Sequence, residues 1–386
     1  MPGAACWRIT YKTCLKPLLF RQDPEQVHDW MTWLGEWLGR SRLARRLVAH
    51  AFRYAHPSLE QTIAGVHFKN PIGLAAGFDK NARLLDILPD VGFGFAEIGS
   101  VTGEPCAGNP QPRLWRLPKS QGLVVNYGLK NDGCTAISGR LARMRFRLAV
   151  GVSIAKTNAS STVETEAGIA DYMKAYKALA DVGAYLTINI SCPNAFGGEP
   201  FTHPERLERL LIALERIPSK RPVFLKMPVD LDEEKVQQLL DVAAHHEVHG
   251  IIFSNLTKRY EQSSIEPSER EGLLKGGVSG KPMSDASNRL LTWAYRTYGS
   301  RFIYIGCGGV FSAEDAYEKI RLGASLVQLI TGMIFEGPQL IGEINRGLVS
   351  LLRRDGFGSI SEAVGSAHRP APEVHERSQY SHNQVS

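Results

Sequence analysis

The apolar and polar positions of this 386-residue chain fall into three textures. Through about residue 60 the pattern is helical. Asp23-Pro24-Glu25-Gln26 reads as a helix start, with Asp as N-cap, Pro in the first turn and Gln three residues beyond the cap. Val27, Trp30, Met31, Trp33, Leu34, Trp37 and Leu38 then make a broad apolar face. A second helix begins near Ser41 and sets Arg42, Arg45 and Arg46 beside Leu43, Leu47, Val48 and Phe52. Two readings stand: a helical hairpin packed on the main body, or a helix pair in a bilayer interface, with rings among acyl chains and guanidinium groups at anionic head groups.

From about 61 to 352 short β-rich runs alternate with helix-like segments. The runs are PIGLAAG (71–77), FGFAEIGS (93–100), AVGVSIA (149–155), YLTINIS (185–191), VFLKMP (223–228), GIIFSNL (250–256), FIYIGCGG (302–309) and LVQLITG (326–332). Between most of them lie segments such as DYMKAYKALADVG and AEDAYEKIRLGA. Eight strands alternating with helices predict an α/β fold, a (β/α)8 TIM barrel with an N-terminal helical hairpin, in preference to an open doubly wound sheet. From Gly356 the chain is polar and rich in Ser, Pro and His, which predicts a disordered tail. The regions are thus 1–60, 61–352 and 353–386.

Composition adds limits. With 43% hydrophobic and 22% charged residues the chain has the makings of a large core. The net charge of +6 is mild and no basic stripe with interleaved aromatics is present, so no nucleic-acid partner is expected. The six cysteines form no CxxC pair, which argues against a zinc site or a disulfide framework, and no metal is expected. No uncharged apolar run approaches the ~18 residues that span a bilayer.

In a barrel of this type the site lies where strands end in loops. Those positions are polar: Gly77-Phe78-Asp79-Lys80, Gly99-Ser100, Ser153 and Lys156, then Asn189 to Asn194, Lys226, Ser254-Asn255, Gly306 to Gly309, and Thr331-Gly332. Buried lysines and amides cost free energy unless they meet a ligand. Gly308-Gly309 and Thr331-Gly332 suit a phosphate held by backbone N–H groups, although turn geometry alone also needs such glycines. Lys226 suits the pyrimidine edge of a flavin, with pairing to a carboxylate such as Glu97 as the alternative.

LAAGFDKN, EIGSVTGEP, NPQPRLWRLP, NISCPN, LKMPVDLDEE, GGVSGKP and GASLVQLITGMIFEGP, in this order, resemble the dihydroorotate dehydrogenases, FMN enzymes of pyrimidine synthesis. The segment LKPLLFRQDPEQVHDW resembles the N-terminal extension of the membrane-associated, quinone-reducing class. The resemblance implies oxidation of dihydroorotate to orotate, with hydride passing to FMN and electrons to a membrane quinone. It also implies an apolar funnel between the helices and peripheral attachment at the cytoplasmic side of the inner membrane, with no transmembrane span.

By the same resemblance Cys192 is the base. Ala76, Gly77, Lys80, Ser100, Ser153, Asn189, Lys226, Ser254, Gly280, Gly309, Ile330 and Thr331 fall at FMN contacts. Lys80, Asn126, Tyr127, Gly128, Leu129, Asn189, Asn194 and Asn255 fall at the substrate, and His28, Arg113 and Arg116 at the quinone. For these last three a salt bridge or cap is the alternative. Five positions depart from the pattern. Cysteine at 192 is usual in the soluble class, where the quinone class has serine. Val125-Asn126 replaces an Asn-Arg pair, so that one pyrimidine contact is either lost or moved to Asn126. Leu256 replaces a hydroxyl residue, and Ile330 a tyrosine. An unperturbed thiol, with its pKa of about 8.5, is a few per cent thiolate near pH 7, which suits it as a base. A soluble acceptor such as fumarate, another cyclic carboxylated substrate, and a flavin-binding module without catalysis are the alternatives.

Overall fold

The computed structural model describes residues 7–262, 264–270 and 275–369. Eight parallel strands close into a barrel: β1 (Ile72–Leu74), β2 (Phe95–Val101), β3 (Ala149–Ile154), β4 (Tyr185–Asn189), β5 (Val223–Met227), β6 (Gly250–Phe253), β7 (Ile303–Cys307) and β8 (Leu326–Leu329). Seven lie within their predicted runs, and β2 overruns its run by one residue, Val101. Strand order follows chain order, and β8 pairs with β1 through Gln328 opposite Gly73.

The end of the barrel remote from the site is plugged by Phe68, Phe95, Tyr185, Phe224, Ile252, Ile305 and Leu326, all buried. Two strand glycines make room for these rings. A Cβ on Gly73 would lie 2.3 Å from the Phe95 ring, and one on Gly151 would lie 2.1 Å from the Tyr185 ring. A short hairpin, Gln61–Ile63 with Val66–Phe68, carries Phe68 under this end.

The other end is covered by an antiparallel sheet absent from the sequence reading, in the order Gly277–Gly280, Gly122–Val125, Leu114–Leu117. Over it lies the predicted hairpin, α1 (Pro24–Arg40) and α2 (Arg42–Phe52). Asp23 Oδ1 accepts from Gln26 N at 2.9 Å, as the cap predicts, and Ser41 caps α2 by accepting from Ala44 N at 3.3 Å. Gly35 and Gly39 let α1 settle on the 84–87 segment, since a Cβ at Gly35 would come within 2.5 Å of Leu84.

The tail requires correction. Residues 356–369 fold onto the barrel, with Ile360 and Ala363 buried. His368 stacks on Tyr295 at 5.2 Å between ring centroids, and its Nε2 lies 3.0 Å from the Leu322 carbonyl oxygen. Ile360 and Ala363, with Phe357 and Val364 packed against the same core and the His368 ring, dock a segment whose composition is polar. The remainder of the predicted tail, 370–386, lies outside the described residues.

Candidate active site

Three cavities lie in series above the barrel mouth. The first has a cavity volume of about 160 Å³ and is walled by Ala76, Gly77, Lys80, Lys226, Ser254, Gly280, Gly309, Ile330 and Thr331, with Gly308 and Gly332. Its glycine turn needs glycine: Gly308 and Gly309 have φ of +97° and +75°, and a Cβ on Gly309 would meet Ser284 at 2.5 Å. Lys226 is 3% exposed, yet among the described residues its Nζ has neither a hydrogen-bond nor an ion-pair partner. Glu97, the carboxylate weighed as its mate, is engaged deeper in the barrel by Thr187 Oγ1 (2.9 Å) and Gln328 Nε2 (3.1 Å). A buried, unpaired cation beside a glycine cradle fits an anionic ligand with a phosphate, as FMN is.

The second cavity, about 100 Å³, shares Ala76, Gly77, Lys80, Val125, Tyr127, Lys226, Asn255 and Leu256 with the first. Cys192, Asn189, Asn194, Gly99, Ser100, Gly128, Leu129 and Lys130 complete its wall. The amides are held in place by the protein itself. Asn189 Nδ2 donates to Ser100 Oγ (2.8 Å), and its Oδ1 accepts from Ser191 N and Oγ. Asn194 Nδ2 donates to the Val125 carbonyl (2.8 Å), and Asn255 Nδ2 donates to the Ser191 carbonyl (2.6 Å). The oxygens of Asn194 and Asn255 remain for a ligand's N–H groups.

Burial pushes the Cys192 thiol up to about 11, with the Glu199 carboxylate adding to the rise and the Asn194 backbone N–H, Lys156 and Lys258 opposing it. The expected few per cent of thiolate near pH 7 is therefore not met. Burial pushes Lys80 down to about 7, aided by Lys130. Its ammonium lies 4.0 Å from the centre of the Tyr127 ring.

The third cavity, about 270 Å³ under the hairpin, shares His28, Phe78, Leu114, Leu123 and Ile334 with the first. Leu19, Val27, Met31, Leu34, Leu38 and Val48 line it from the helices. His28 Nε2 lies 2.9 Å from the Phe78 carbonyl oxygen and 3.5 Å from Lys80 Nζ, at the junction of the two spaces. Burial and Lys80 both lower its pKa. Arg116 donates to the Gln22 carbonyl at 2.8 Å and packs over Phe20.

Three expectations are corrected by this geometry. Asn126 is on none of these walls. It follows Val125 directly, so period-two alternation turns it away, and its Oδ1 accepts from Asn109 Nδ2 at 3.1 Å. Arg113 is also off the walls. It forms a buried two-pronged pair with Glu25 at 2.7 and 3.0 Å and donates to the carbonyls of Ala107 and Asn109. Ser153 sits behind Ser100, oxygen to oxygen at 2.8 Å, and lines neither the first nor the second cavity.

Of the residues that brace the site, sequence reasoning named Lys156 only as a strand-end polar residue and missed Asn158 and Lys258. Asn158 Oδ1 accepts from Phe196 N at 2.7 Å, Lys156 Nζ donates to the Phe196 carbonyl at 2.9 Å, and Lys258 Nζ donates to the Pro193 carbonyl at 2.6 Å. Their only signal was their place just beyond β3 and β6.

Residues 58–352 match the dihydroorotate dehydrogenase family. The chain belongs to that family. It is 38% identical over 351 residues to a dihydroorotate dehydrogenase (quinone) of Natronomonas pharaonis, covering 91% of this chain and 97% of that one. It is also 38% identical to the protein of that name from Myxococcus xanthus, covering 92% and 97%. In structure it resembles ligand-free DHODH from Eimeria tenella, with a TM-score of 0.80 and 29% identity over 90% of this chain and all of that one. The complex of DHODH from Eimeria tenella with ferulenol gives a TM-score of 0.78 and 28% identity, covering 90% of this chain and 96% of that one.

Proposed function

We propose that this chain oxidises dihydroorotate to orotate, with FMN in the first cavity, the substrate in the second, and a quinone reaching the flavin through the third. The observation that carries the reading is the series itself. One cavity has a glycine cradle and an unpaired lysine, the next has Cys192 and fixed amides, and the last is an apolar passage open toward the hairpin. FMN, when bound, supplies the hydride acceptor. The chain's own residues do the rest. Asn194 and Asn255 orient the planar ring, Lys80 supplies positive charge for the substrate carboxylate, and Cys192 Sγ takes the proton from C5 as hydride leaves C6.

The outer face of the hairpin is the membrane-docking surface in this reading. Trp30, Trp33, Trp37, Leu43 and Leu47 are between 49% and 67% exposed, and Arg42 and Arg46 lie exposed beside them. No helix among the described residues is long and apolar enough to cross a bilayer, so attachment is peripheral in this account.

Anaerobic mixing of the flavin-loaded protein with dihydroorotate tests the reading. Rapid bleaching of the flavin absorbance, followed by reoxidation with a soluble quinone and not with fumarate, is the expected outcome. Bound flavin that stays yellow in dihydroorotate would overturn the substrate, and reoxidation by fumarate alone would overturn the acceptor.

A further inference from the structure

We infer that Lys319 is a positioning residue for the FMN phosphate, holding and polarising the glycine turn from behind through Ser287. The inference rests on the flavin reading of the first cavity given above. Lys319 belongs to the helix Ala313–Arg321, which follows the turn, and Ser287 to the helix Ser284–Tyr298, which precedes β7. The lysine is 1% exposed, and Gly306 in β7 makes room for it, since a Cβ there would lie 3.0 Å from Lys319 Cδ. Its Nζ donates to Ser287 Oγ at 3.1 Å and to Asn288 Oδ1 at 2.7 Å, and it pairs with no carboxylate among the described residues. Ser287 Oγ in turn donates to the Cys307 carbonyl at 2.6 Å. Ser254 Oγ, from the wall of the first cavity, donates to the same carbonyl at 3.3 Å.

This relay ends on the peptide that opens the glycine turn. The Cys307–Gly308 peptide is trans, so its N–H lies opposite its carbonyl, and whatever polarises the carbonyl strengthens the Gly308 N–H as a donor. Gly308 and Gly309 line the first cavity, and neither N–H meets an acceptor among the described residues. Lys319 itself lines none of the three cavities, so it acts through the turn and not as a ligand. A buried ammonium with two neutral partners is costly, because serine and asparagine solvate the charge without neutralising it. Burial pushes Lys319 down to about 8, opposed through space by Cys307, Glu318, Asp315 and Asp285, so it remains a cation at neutral pH. A phosphate held by the turn supplies the missing counter-charge. Lys226, which does line the cavity, is then left to the flavin ring.

A lysine that merely bolted two helices to β7 would hold any flavin equally well, and this separates the two roles. The full chain is loaded with FMN or with riboflavin, which lacks the phosphate. Each loaded protein is rapidly diluted, and the rise of free-flavin fluorescence gives its release rate. Lys319→Met speeds FMN release by about 10- to 100-fold, the weight of a hydrogen bond to a charged group, and leaves riboflavin release within about 3-fold. Ser287→Ala keeps the cation and breaks the relay. It speeds FMN release by about 5-fold with riboflavin unmoved, a result that does not depend on Lys319→Met folding. Equal acceleration of both flavins would show a brace of the barrel and overturn the inference, as would unchanged FMN release in both variants. An unmodified chain that takes up no FMN would instead overturn the flavin reading on which the inference rests.

Discussion

At position 192 the surroundings work against the chemistry expected of a free thiol. Burial and the nearby Glu199 carboxylate hold the sulfur neutral across the physiological range, so its pKa alone does not make it a base. Its place on the wall of the second cavity, which no carboxylate lines, makes it the group to test. Cys192→Ala should slow flavin reduction by dihydroorotate about 10²- to 10⁴-fold while leaving flavin absorbance intact. Near-full activity in stopped flow would remove Cys192 from the mechanism. The same scale shows what one sequence could and could not tell. The polar residues at the strand ends were legible because β1 to β8 fix where each must point. Asn126 was misplaced because it follows an unpredicted strand, and one residue's difference in parity reverses the direction of a side chain. Thiol ionisation was illegible because it depends on neighbours such as Glu199 and Lys258, which the fold alone brings near.

Among the elements, the hairpin divides its labour by face. Its inner side lines the apolar passage, and its outer side carries much of the exposed large apolar surface of the described chain. The anchor between hairpin and barrel mouth is the Glu25–Arg113 pair, both partners 4–5% exposed. Burial would raise the Glu25 pKa, but hydrogen bonds from Arg113, Gln111 and Lys130 outweigh it and hold the group near 2. A depressed pKa contributes stability that is present above the unfolded value of about 4.3 and lost as pH falls through about 2. Glu25→Ala leaves a buried guanidinium unpaired and should destabilise the protein by about 3–5 kcal/mol, read by urea unfolding. A loss below 1 kcal/mol would show that the pair is dispensable. Replacing Trp30, Trp33 and Trp37 together with Ser should abolish cosedimentation with anionic liposomes and spare reduction by dihydroorotate. Unchanged cosedimentation would refute the docking face.

The hairpin was legible because helix caps and a run of tryptophans are local signals. The covering sheet was not. Its central strand, Gly122–Val125, pairs with Gly277–Gly280, more than 150 residues away, and neither is long enough to show a period. The docked segment Ile360–Ala363 was missed for a related reason, since its few apolar contacts are long-range and leave the composition polar.

For the whole molecule, closure of the barrel fixes one mouth, and everything functional is gathered there. The remote end is filled by an aromatic plug, so three cavities of distinct character can stand in series at the other. In the proposed reading the glycine-lined cavity stands between the other two and takes the flavin phosphate, sharing walls with the polar chamber for the pyrimidine and with the apolar passage for the lipid-soluble acceptor. The central claim is that the pyrimidine lies between the sulfur of Cys192 and the flavin. A crystal structure of the FMN-loaded protein with orotate measures this directly. The account predicts orotate stacked on the flavin in the second cavity, with Cys192 Sγ over C5 within contact distance. Orotate bound elsewhere, or a sulfur turned away from the ring, would contradict it.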